Sequence, residues 1–146
     1  MHDSSLARTT NVDDLFAPRN GGYALGDFTL AEIETLTVEL YGTAAETHPG
    51  FVPSMADPYK VTTFAEVLGR VNGYNAANGT TIGVHPESKP PSTSAQNAAI
   101  VQAMHNHGFT GADRNSYIRT FDHLAGFEIV GPESGLGMEV PVAALG

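Results

Sequence analysis

Between Ile82 and Pro91 the chain reads Ile-Gly-Val-His-Pro-Glu-Ser-Lys-Pro-Pro, an apolar run that ends on a carboxylate and an amine before a proline loop. Side chains alternate across a strand, so Gly83, His85, Glu87 and Lys89 share one face and Ile82 and Val84 the other. That pattern predicts a strand over about 81–87 with helices behind it and chemistry at its C-terminal end. Active residues of (β/α)8 barrels sit at such strand ends. Glu87 there suits a hard divalent cation, Ca²⁺ or Mg²⁺, which takes oxygen ligands. The plainer alternative is a solvated glutamate paired with Lys89. His85 would lie one layer deeper than Glu87, and a satisfied core histidine is the simpler reading of it than a ligand.

The elements that must position these residues are legible in part. Thr29-Leu30-Ala31-Glu32 and Thr63-Phe64-Ala65-Glu66 have capping-box spacing, and each predicts a helix start. Ile33 and Leu36 give the first a small apolar face. In the second, Phe64, Val67, Leu68 and Val71 fall at i, i+3, i+4 and i+7, with Gly73 placed for the exit. Ser94 can cap a third helix carrying Ala98, Ile100, Val101 and Met104, with Gly108 as its stop. Tyr117–Phe121 reads as a strand, Asp122–Phe127 as a turn of helix and Glu139–Leu145 as a last strand. Asn72, Asn75 and Asn78 read as loop residues, as do residues 41–58, which are rich in Gly, Pro, Thr and Ala. Alternating helices and strands predict an α/β sheet with parallel crossovers. His105 and His107 fall in the last turn of the third helix, where their spacing cannot put both on one helix face, so no metal site is expected there.

Composition narrows the function. At 146 residues the chain has a formal charge of −9 and no cysteine. Nucleic acid and anionic membrane surfaces call for basic patches, so neither is an expected partner. The charge also sits awkwardly with an anionic substrate unless a metal or a local Lys or Arg supplies positive charge. No apolar run of about 18 residues could span a membrane, and no signal peptide is visible.

Three further segments, taken with Gly83–Lys89, carry a family resemblance. Met1-His2-Asp3-Ser4-Ser5-Leu6-Ala7-Arg8-Thr9-Thr10-Asn11 resembles the His-Asp…Leu-x-Arg-Thr-Thr-Asn segment of glycerophosphodiester phosphodiesterases. Asp27–Ile33 and Thr63–Val67 follow in that family's order, and Gly83–Lys89 resembles its Pro-Glu-x-Lys strand. The likeness covers nearly the whole chain and is closest to the larger bacterial extracytoplasmic type. It implies a (β/α)8 barrel, hydrolysis of a small glycerophosphodiester to an alcohol and glycerol 3-phosphate, and assistance from Ca²⁺ or Mg²⁺. It also implies a periplasmic or extracytoplasmic location. By the same resemblance His2 is a catalytic histidine, Glu87 a metal ligand, and Lys89 and Phe121 substrate-binding residues. Asp3 is carried along with its motif. Tyr117–Asp122 stands where the family shows Gln-Ser-Phe-Asp; Phe121 and Asp122 match, and Arg119 replaces the usual glutamine.

The family's His-Arg-Gly and Glu-x-Asp strands have no counterpart before His2. A barrel normally needs about 250 residues, so the expected architecture is partial. It comprises the end of strand two and an irregular insertion over 1–60, then roughly strands three to five over 61–146. Three fates follow for such a segment: an enzyme fragment with little activity alone, a non-catalytic interaction module on the same scaffold, or a piece that self-associates or pairs with a missing N-terminal half.

Overall fold

The computed structural model describes residues 3–38, 59–111 and 115–145. His2 and the whole Gly- and Pro-containing stretch 41–58 lie outside them. The chain divides into two compact units, Met1–Thr62 and Thr63–Gly146.

In the first unit the described residues form helix α1 (Val12–Leu15), a 3-10 turn (Leu25–Asp27) and helix α2 (Leu30–Ile33), where the sequence suggested a single helix. Thr29 and Glu32 close the expected capping box on α2. Glu32 has a second task. Arg19 grips it in a two-pronged pair, Nη2–Oε1 at 2.6 Å and Nη1–Oε2 at 3.1 Å, while the guanidinium lies 4.4 Å from the Phe28 ring centroid. The Arg19 hydrogen bond, then those from the Thr29 backbone and hydroxyl, hold the Glu32 carboxyl down at about 2. Buried Leu6, Val12, Phe28 and Leu36 make a small core beneath.

The resemblance-bearing segment near the N-terminus has structural duties here. Arg8 donates to Asp3 at 2.6 Å, and the buried Thr10 hydroxyl donates to the Leu6 carbonyl at 2.7 Å. Asn11 Oδ1 accepts from Thr37 N–H at 2.8 Å. A motif read from sequence as chemistry thus also ties its own loop together.

The second unit is α/β. Helices α3 (Phe64–Asn78), α4 (Ser94–Asn106) and α5 (His123–Gly135) accompany strands β1 (Glu87–Ser88), β2 (Ile118–Thr120) and β3 (Val142–Ala144). The strands form one parallel sheet in the order β1-β2-β3. The Thr63–Glu66 capping box opens α3 as expected, but α3 runs through Gly73 and ends at Gly79, whose positive φ of 63° makes the left-handed cap. Propensity at one interior glycine costs only about 1 kcal/mol, less than burying Leu68 against the core returns. Asn72, Asn75 and Asn78 are therefore helical. Asn75 Oδ1 accepts from Ile82 N–H and from the Thr80 hydroxyl, each at 2.8 Å, and Nδ2 donates to the Ile82 carbonyl at 2.9 Å. With Ile82 held by its backbone, its side chain is left 48% exposed rather than packed behind the strand.

The largest departure from the sequence reading is α5. A turn expected over Asp122–Phe127 is a 13-residue helix despite Gly126, Gly131, Pro132 and Gly135. Asp122 caps it, its side chain accepting from Leu124 N–H at 2.9 Å and Ala125 N–H at 3.4 Å. Ala125 and Ile129 are buried beneath it, and packing of this kind overrides weak propensity. A Cβ added at Gly126 would come within 3.9 Å of Thr120 and Val142 side chains, so α5 lies close on the sheet. Leu68, Val101, Met104, Phe109, Ile118, Ile129, Met138 and Val140 form the core between helices and sheet.

Glu133 is buried near the end of α5, and burial raises its carboxyl to about 6. The folded chain therefore binds this proton more tightly than the unfolded chain, and stability falls as pH rises from about 4.5 through 6. The shift is worth about 2 kcal/mol in full and about 1 after solvent screening. Glu133→Gln is expected to raise the unfolding free energy by about 1 kcal/mol at pH 7.5 and to change nothing at pH 4. Urea melts at the two pH values check this, and an equal effect at both would contradict it.

Candidate active site

The sheet has two unlike faces. Towards the helices point Val84, Ser88, Ile118, Thr120 and Val142, of which Ser88, Ile118 and Thr120 are buried and Val84 and Val142 pack on the core. The Ser88 hydroxyl donates to Asn97 Oδ1 on α4 at 2.5 Å, and Asn97 Nδ2 donates to Glu128 on α5 at 3.0 Å. This relay fixes the residue beside Glu87 to both helices. Sequence reading missed it, since an Asn on an otherwise apolar helix face gives no sign of its partner.

The odd-numbered residues occupy the other face, as the period-two pattern predicts. Register pairs Glu87 with Arg119, and Arg119 with Ala143. One residue earlier in each alternation, His85 stacks on Tyr117 with centroids 3.8 Å apart and planes at 25°. His85 is exposed and its Nε2 lies 3.2 Å from the Asn115 carbonyl, so the core-histidine expectation is corrected. It forms a surface platform with Tyr117. Beyond the paired residues Lys89 follows β1 and Phe121 follows β2, and Leu145 N–H bonds to the Thr120 carbonyl at 2.8 Å on the far side.

β1 is shorter than the expected 81–87 for a covalent reason. Tyr117 and Arg119 N–H donate to the Val84 and Pro86 carbonyls at 3.2 and 2.8 Å. In this register the return bond to Tyr117 would come from the nitrogen of residue 86, and proline has no N–H to give. Such a proline is tolerated because it stands just before the first residue of β1, where the ladder begins. β3 likewise begins only at Val142, after Pro141.

Two polar atoms on this face are buried without a hydrogen-bond partner, Glu87 Oε1 and Arg119 Nε. Beside them a groove of about 480 Å³ runs between β2 and β3, bordered by Tyr117, Arg119, Pro141, Ala143 and Leu145. Lys89 is exposed, and Phe121 is 54% exposed at the end of β2. Glu87 and Arg119 are thus neighbours in the sheet, and Lys89 and Phe121 follow them just past the ends of β1 and β2. Asp122, matched to the same family motif, is turned to capping α5.

A parallel α/β sheet that presents acid, base and aromatic groups beyond its strand ends has the form of an enzyme site. The chain belongs to the glycerophosphoryl diester phosphodiesterase family, whose model matches residues 1–126. It is similar to a glycerophosphodiester phosphodiesterase of Haemophilus influenzae, 27% identical over 135 residues that cover 84% of this chain and 37% of the relative. The chain therefore spans somewhat over a third of that relative's length.

The family implies a divalent cation. Glu87, with one buried carboxylate oxygen unpartnered, fits the role of one ligand. Among the described residues, however, no three His, Asp or Glu side chains are grouped to hold an ion. A hard cation takes six or more oxygens. The described residues do not by themselves fit a bound metal.

Proposed function

We propose that the chain carries part of the active face of a glycerophosphodiester phosphodiesterase, acting on a small glycerophosphodiester and releasing an alcohol and glycerol 3-phosphate. The observation that carries this reading is the pairing of Glu87 with Arg119 near the C-terminal ends of two parallel strands, with Lys89 and Phe121 following those strands in sequence. In it Lys89 neutralises phosphate charge and Phe121 packs against the substrate's carbon skeleton. Glu87 supplies a carboxylate beside the phosphoryl group, and His2 is the acid–base group, since an imidazole titrates near neutrality. Family membership supports the reaction class, and the resemblance favours Ca²⁺ or Mg²⁺ and a periplasmic or extracytoplasmic site of action. No helix among the described residues is long and apolar enough to cross a membrane.

With one grouped carboxylate, the chain alone is expected to bind Ca²⁺ weakly and to turn over slowly. The test is release of glycerol 3-phosphate from glycerophosphocholine, with and without Ca²⁺, for the wild-type chain and Glu87→Gln. A low rate that Glu87→Gln brings to background supports the reading, with Val67→Ala on the exposed side of α3 as the unaffected control. A rate indifferent to Glu87→Gln would remove this residue from the site. No turnover, together with no binding of glycerophosphocholine at millimolar concentration, would favour an interaction module on the same scaffold. That second reading draws on Leu124 and Phe127, which are 73% and 80% exposed on α5.

A further inference from the structure

Arg119 stands where the resembled motif has glutamine, and its surroundings say what the exchange does. It is the only charged side chain among the described residues that border the groove between β2 and β3. Its inner nitrogen, Nε, is buried with no partner. Glu87 is its register neighbour on β1, across a strand spacing of about 4.8 Å, yet Glu87 Oε1 is unpartnered too. Buried polar atoms of charged groups are rarely left unsatisfied in a resting protein. A ligand that satisfies both must present an acceptor to the guanidinium and a donor or cation to the carboxylate. A phosphoryl group bearing a neighbouring hydroxyl does so, its oxygen accepting from Arg119 and its hydroxyl donating to Glu87.

Of the other described cations, Lys89 follows β1 and would add its charge from the strand end, while Lys60 donates to the Thr35 carbonyl at 2.9 Å. Arg8 and Arg19 are paired with Asp3 and Glu32 in the first unit, and Arg70 borders a separate apolar hollow with Tyr74 and Ile82. On a chain of net charge −9, an anion needs a local positive group to be held at all. Ala143, beside Arg119 in the sheet, is small enough to leave room for one. A guanidinium holds a phosphate by a planar fork, which the amide of glutamine cannot match in charge.

We propose that Arg119 is an anion-binding residue of this face and takes a phosphoryl oxygen of the substrate and of the phosphomonoester product. The proposal rests on the phosphodiesterase reading, and the experiment separates the two. The full chain, freed of metal with EDTA, is titrated with inorganic phosphate and with glycerol 3-phosphate. Binding is followed by calorimetry and by the ¹⁵N-resolved resonance of Arg119 Nε–H. The wild-type chain is expected to bind both and to shift that resonance. Arg119→Gln should weaken binding at least tenfold, and Arg119→Lys less, since it keeps the charge and loses the fork. Glu87→Gln should bind phosphate as tightly as wild type or more so, because a negative charge has left the adjacent position. Near-ultraviolet circular dichroism establishes that the variants are folded, and the lysine variant serves if the glutamine variant is not. Binding that survives Arg119→Gln unchanged overturns the inference and leaves the phosphodiesterase reading standing. Failure of the wild-type chain to bind phosphate, glycerol 3-phosphate or glycerophosphocholine overturns both.

Discussion

Replacing Phe109 with alanine is expected to lower the unfolding free energy of the Thr63–Gly146 unit by about 3–5 kcal/mol. Phe109 is the largest fully buried side chain of the unit's core, a cluster it shares with residues from the helices, β2 and the segment leading to β3. It arrives there through a local turn: Gly108 takes a φ of 74° after α4, and Phe109 N–H closes on the Met104 carbonyl at 3.0 Å. Alanine would leave a cavity lined by side chains fixed on several elements, which cannot all move to fill it. A loss of that size is a large share of the 5–15 kcal/mol that holds most domains folded. Denaturant melts of the full chain, with Leu124→Ala as an exposed control expected to change stability by less than about 0.5 kcal/mol, check the claim. A Phe109→Ala loss below about 1 kcal/mol would mean that the core relaxes freely around position 109.

What could be read in advance was local. The capping boxes at Thr29 and Thr63 need only residues three apart, and both form. The cap of α4 is Thr93 rather than Ser94, with Gln96 completing the box, a one-residue difference between two adjacent hydroxyls. Alternation likewise told which of residues 84–88 face the helices. What failed depended on partners distant in sequence. The helix α5 has three glycines and a proline, and Leu124, Ala125, Phe127, Ile129 and Val130 leave no clear polar side; its helicity comes from the sheet it covers. Asn75 reads as a loop residue by type, and the three hydrogen bonds that give it a place in α3 go to Thr80 and Ile82, beyond the helix end. At the candidate site, period two placed His85 and Glu87 on one face. Only the pairing register could put Arg119 beside Glu87 and Tyr117 under His85, and register is a tertiary property.

The chain is also expected to self-associate, with a dissociation constant in the micromolar range, about 8 kcal/mol. Parallel sheets are normally covered on both faces. Here helices cover one face, while the other carries the groove walled by Pro141, Ala143 and Leu145. In the order β1-β2-β3 the outer edges of β1 and β3 have no strand partner among the described residues, and unpaired edges invite pairing. Phe121, Leu124 and Phe127 add exposed apolar surface nearby. The opposing force is charge: two copies at −9 each repel, and salt screens that repulsion over about 10 Å at 0.1 M. Association driven by the sheet should therefore strengthen on going from low to moderate salt, whereas association through ion pairs should weaken. Size-exclusion chromatography with light scattering across a dilution series, at about 0.03 M and about 0.3 M salt, reads both mass and trend. Ala143→Glu, which places a charge on the open face away from the core, should shift the equilibrium to monomer without lowering the melting temperature. A wild-type chain that stays monomeric at every concentration and salt, and melts cooperatively, would show that the open face and edges are stable in water as they stand.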